Sequence, residues 1–102
     1  MSVISFNNHY KNADFTWIGP LPLDPSRAFD AAFKFLKNIN LDSSKVHTLV
    51  APGVREGCIL TAYHSLMGHF PLVLYSLRNG EEWTWVQANL QDWRDKYRHD
   101  RR

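Results

Sequence analysis

A chain of 102 residues, 44% of them hydrophobic and 22% charged, is long enough to bury a core and too apolar for a disordered tail. Its formal net charge of +2 is unevenly spread: residues 1–89 hold seven Lys/Arg against seven Asp/Glu, and the last thirteen hold five against three. A neutral body argues against a duplex nucleic acid as partner, because phosphate neutralisation drives that affinity.

"VISF" (3–6) predicts a short first strand, followed by the polar turn "NNHYKN", and "DFTW" (14–17) a second short strand. "GPLPLDP" (19–25) holds three prolines and must run extended until Asp24 caps a helix with Pro25 at its first position. Ala28, Phe29, Ala32, Phe35, Leu36 and Ile39 then recur on one helical face, and "NLDSS" closes the helix. "VHTLVA" (46–51) reads as a strand.

The next helix is predicted from about Val54 to Met67, with Arg55 (by its stem), Ile59, Ala62, Tyr63, Leu66 and Phe70 as its stripe and Gly68 as terminator. Pro71 opens the strand "PLVLYSLR". "NG" (79–80) predicts a type I′ hairpin pairing Arg78 with Glu81, Ser76 with Trp83 and Leu74 with Trp85. Asn89 is expected to cap a last helix with the stripe Leu90, Trp93 and Tyr97, and Arg98, Arg101 and Arg102 to complement its negative end. Strands separated by helices imply right-handed crossovers. The expected fold is one α/β domain over 1–102: a minimal Rossmann-like three-layer sandwich, mostly parallel, with a C-terminal antiparallel hairpin.

The one cysteine, Cys58, forms no internal disulfide, which suits a reducing cytoplasm. No apolar run nears the roughly 20 residues that span a bilayer, so a soluble cytoplasmic protein is expected.

Ligands of open α/β sheets bind outside the carboxyl ends of the strands. That rim should gather Asn7, Asn8 and His9, then Pro52, Gly53, Val54 and Arg55, then Arg78. A Pro-Gly turn into a helix offers unpaired amides and a positive dipole end to a phosphate or carboxylate, and Arg55 adds a charged donor. The same residues also serve a plain turn, with Gly53 for the bend and Arg55 paired to Glu56 or packed by its stem. His9 is the candidate acid/base group, and His47 reads as a satisfied core or interface histidine. Leu60, His64 and Gly68 form an i, i+4, i+8 ridge suited to a dimer contact. Trp83 and Trp85 could stack on nucleobases, but their alternation along a strand favours core or oligomer contact. One Cys and scattered His give no metal constellation, no cofactor is indicated, and neither a nucleophile elbow nor a Walker-type loop is present.

"APGVREGCILTAYHSLMGHFPLVLYSLR", together with "ANLQDWRDKYRHDRR", resembles a small CRISPR-associated group, the Csx-fifteen family. The resemblance rests on Pro52 and Gly53, on His64, Gly68, Phe70 and Pro71, and on Asn89, Leu90, Gln91 and Arg94, over the last half of the chain. It implies a reduced relative of the Rossmann-like domains that sense cyclic oligoadenylates in type III CRISPR defence. Such a protein would bind cyclic tetra-adenylate as a homodimer or larger assembly, lowering the messenger by sequestration or by slow, metal-independent ring opening through the ribose 2′-hydroxyl. A protein–protein adaptor using the Trp83/Trp85 hairpin is the remaining reading.

Overall fold

Asp24 and Pro25 start the first long helix in the expected manner. The Asp24 carboxylate accepts from the backbone N–H groups of Ser26 (2.9 Å) and Arg27 (3.4 Å), and Pro25 takes the first helical position of α1 (Pro25–Asn38). Ala28, Ala32 and Leu36 are fully buried, and Phe29, Phe35 and Ile39 pack half-buried beside them. The structure, a computed structural model, describes residues 2–98, so the tail cations Arg101 and Arg102 lie outside the described residues.

The strands are β1 (Val3–Ser5), β2 (Phe15–Thr16), β3 (Thr48–Val50), β4 (Leu72–Asn79) and β5 (Glu82–Asn89), with α2 (Glu56–Met67) between β3 and β4 and α3 (Leu90–Arg98) after β5. They form one sheet in the order β2-β1-β3-β4-β5, parallel except for the antiparallel β4–β5 pair. Ile4, Leu49, Val73 and Ala88 stand in register across the four longer-paired strands and are buried on one face. Ile4 and Leu49 share a core with Ala32 and Leu36 of α1 and with Ile59, Ala62, Tyr63 and Met67 of α2.

That common core corrects the expected three layers. The crossovers from β2 to β3 and from β3 to β4 step the same way across the sheet, so right-handedness lays α1 and α2 on the same face. The β1-to-β2 connection, which steps the other way, is the polar stretch 6–14 and carries no helix. No residue of α3 is buried, and its stripe residues Trp93 and Tyr97 are more than half exposed, so α3 supplies no third layer either.

The hairpin also departs from expectation. Arg78 faces Trp83, Ser76 faces Trp85 and Leu74 faces Gln87, two residues away from the predicted register. Asn79 stays in the strand opposite Glu82, and Gly80 alone of the turn residues takes a positive φ (+67°), the pattern of a type II′ rather than a type I′ turn. A shift by two keeps every side chain on its predicted face. β4 and β5 run well past the level where β1 and β3 end, so their far half projects from the sheet as an exposed two-stranded ribbon.

Candidate functional site at the strand-order reversal

β1 feeds β2 on one side and pairs with β3 on the other, so the order in which the chain adds strands reverses between β1 and β3. A crevice opens at the carboxyl ends of such a pair because the connections leave in opposite directions. Asn7 ties the two ends together. Its Nδ2 donates to the Ala51 carbonyl (3.1 Å), its Oδ1 accepts from the His9 N–H (3.0 Å), and its own N–H donates to Ser5 Oγ (3.1 Å). The Asn7 amide is thereby spent on holding the rim, and the exposed His9 is placed by it.

Two adjoining clefts of about 580 and 390 Å³ share Asn7, His9 and Pro52. Volumes of this order suit small-molecule sites. The smaller also takes in Asn8, Val54, Arg55 and the 19–23 segment, whose prolines keep it extended as a wall. The larger is bounded by Ser76, Trp83 and Trp85 of the ribbon. Thus Asn7, Asn8, His9, Pro52, Val54 and Arg55 do come together, with Gly53 as the turn beneath them.

The α2 start differs in detail from the expected one. The helix begins at Glu56, and Arg55 is its N-cap in the left-handed region (φ +60°). φ is positive at Gly53 (+84°) and at Arg55 but not at Val54 between them. No side chain caps this end. An Arg55 Nη donates to the Leu23 carbonyl, and its Nε is buried without a partner among the described residues, so the guanidinium braces the Pro-rich segment as well as lining the cleft. Burial, together with the neighbouring Glu56 carboxylate, pushes the Tyr75 pKa up to about 12.

Other candidates lie elsewhere. Arg78 stands out on the ribbon, its Nε donating to the Gly80 carbonyl (2.9 Å) and its guanidinium 5.9 Å from the Trp83 ring centroid. His64 packs on Phe70 (4.6 Å between centroids), while Gly68 caps α2 at φ +82° and donates to the His64 carbonyl (2.8 Å). Gly68 is therefore explained by the helix end, and Leu60 lies half-buried on the same flank. His47 is buried as expected at the opposite rim. Its Nδ1 accepts from the Ser2 N–H (3.1 Å), which puts the proton on Nε2 for the Asp42 carbonyl (2.8 Å).

Sequence reasoning placed the strand end Ser76-Leu77-Arg78 on this rim but missed the wall at 19–23, and it favoured core or oligomer contact over base stacking for the two ribbon tryptophans. The signal for the wall was the proline run itself. Among the described residues no three His, Cys, Asp or Glu gather as a metal site, and no helix is long and apolar enough to cross a membrane. Comparison with known protein families, with characterised proteins and with solved structures finds no match to the chain.

Proposed function

We propose that this protein binds a cyclic oligoadenylate, of the cyclic tetra-adenylate class, and lowers that messenger in type III CRISPR signalling by sequestration. One observation carries the reading: the Asn7/His9/Pro52 crevice at the strand-order reversal opens beside the side-chain-uncapped N-terminus of α2. Amides and the dipole at a helix start favour a phosphate, and Arg55 adds a guanidinium. A mostly parallel sheet whose strand order reverses between β1 and β3 is compatible with the reading, and the Csx-fifteen resemblance supplies the ligand class. A ring with several phosphates calls for more than one such rim, hence two copies of the chain across a two-fold axis.

Holding is favoured over cutting. Ring opening needs the 2′-hydroxyl in line with the phosphorus and a group to take its proton. Glu56 is not among the residues lining either cleft, and His9 has no side-chain partner among the described residues to orient its ring. Calorimetry with cyclic tetra-adenylate tests the reading: Gly53→Val and Arg55→Ala should each bind about tenfold or more weakly, roughly 1.4 kcal/mol. Unchanged affinity in both folded variants would move the site elsewhere. Excess labelled ring should stay intact; many turnovers within minutes, abolished by His9→Ala, would make the protein a ring nuclease.

A further inference from the structure

We infer that Trp83 and Trp85 form a stacking platform for the adenine bases of the ligand, so that the ribbon reads the base while the α2 start takes the phosphate. This rests on the nucleotide reading above and assigns it a second set of contacts. Both indoles lie on the ribbon face that closes the larger cleft against Asn7, His9 and Pro52. They are 65% and 38% exposed, so they are not serving the core. Each is braced without being covered. Tyr10 meets Trp85 edge-on (5.2 Å between centroids, 89°), and the Arg78 guanidinium flanks Trp83.

The spacing suits a planar guest. Side chains two residues apart leave a strand on the same side about 6.8 Å apart, twice the ~3.5 Å contact distance between stacked carbon atoms. That backbone spacing leaves room for one aromatic ring between two indoles that stand across the strand. Polar groups for its edge stand beside them: the Ser76 hydroxyl and the His9 imidazole line the same cleft and carry no side-chain hydrogen bond among the described residues. Arg78, opposite Trp83 in register, is on the cleft side of the ribbon with only its Nε committed to Gly80.

The fluorescence of 2-aminopurine riboside 5′-monophosphate, which is quenched by stacking on indole, reads this contact directly. Wild-type protein should quench it saturably. Trp83→Leu and Trp85→Leu should bind at least about fivefold more weakly, the lower end for loss of a base–aromatic stack. Trp83→Phe should recover part of the loss, and Trp93→Leu, on α3, should behave as wild type. Unlabelled AMP should displace the probe and ribose 5-phosphate should not. Equal binding by the leucine variants, or displacement by ribose 5-phosphate as good as by AMP, would overturn the inference. So would leucine variants that alter only the oligomeric state, since the ribbon would then be a contact between copies.

Cyclic tetra-adenylate titrated in parallel separates the two claims. A ring held equally by wild type and leucine variants keeps the functional reading and removes the platform. Quenching of the monophosphate by a protein that ignores the ring does the reverse.

Discussion

His47 and His9 have the same side chain and opposite duties. His47 is 2% exposed with both ring nitrogens engaged, so His47→Phe would leave the Ser2 N–H without a partner and the Asp42 carbonyl with the Lys45 N–H alone. A loss of about 1–3 kcal/mol in urea unfolding is expected. His9 is exposed and bonded only through its backbone N–H, so His9→Ala should change stability by less than about 0.5 kcal/mol. Two exposed carboxylates set the response to acid. The Ser26 hydroxyl and backbone amides hold Asp24 below its ordinary value of 3.8, and Ser44 does the same for Asp42. Groups with lowered folded-state pKa values contribute stability that is whole above 3.8 and lost as pH falls through the lowered value. The wild-type urea midpoint should therefore fall as pH is lowered from about 5 through 3.8 and below, and Asp24→Asn with Asp42→Asn should flatten that fall. Asp24 was legible in the sequence because a cap acts over three residues. Arg55 was only half legible: its place on the rim followed from the strand end, but its tie to Leu23 spans 32 residues of chain.

At the scale of elements, two glycines should respond in opposite directions. Gly80 sits at φ +67° with open space for 4 Å around the place a Cβ would occupy, so Gly80→Val meets conformational cost alone, about 1–2 kcal/mol. Gly57 lies in the first turn of α2 with the same open space and no positive φ, so Gly57→Ala should stabilise by about 0.5 kcal/mol. Thermal unfolding of the two variants, read against wild type, checks both signs. The hairpin itself was legible from Asn79-Gly80, and its register was not. Either dipeptide, Asn79-Gly80 or Gly80-Glu81, makes a two-residue loop, and the choice depends on whether Asn79 leaves the strand. Period-2 alternation is blind to a shift of two, so the faces of Trp83 and Trp85 came out right while their partners did not. The stripe of α3 was equally readable, but periodicity reports what a helix can bury, not whether anything packs there.

At the scale of the molecule, strand direction was readable because helices alternate with strands. The number of layers was not, since it depends on the direction in which each crossover steps across the sheet. With one crevice per chain, a ring carrying several phosphates should titrate at one ring per two chains, and light scattering should find the dimer in its presence. A monomer with and without the ring would defeat this expectation. The reversal between β1 and β3 has a consequence in time as well. The contact from Asn7 to Ala51 joins residues 44 apart, whereas the β4–β5 pair closes locally across a two-residue turn. Local hairpins form in about 1–10 μs, and long-range parallel pairing follows only after the intervening chain is ordered. In refolding, the ribbon should therefore be present before the crevice it overhangs. Under the proposed function, ligand capture would then wait for the last step of folding, and a partly folded chain with its ribbon already formed would not yet bind.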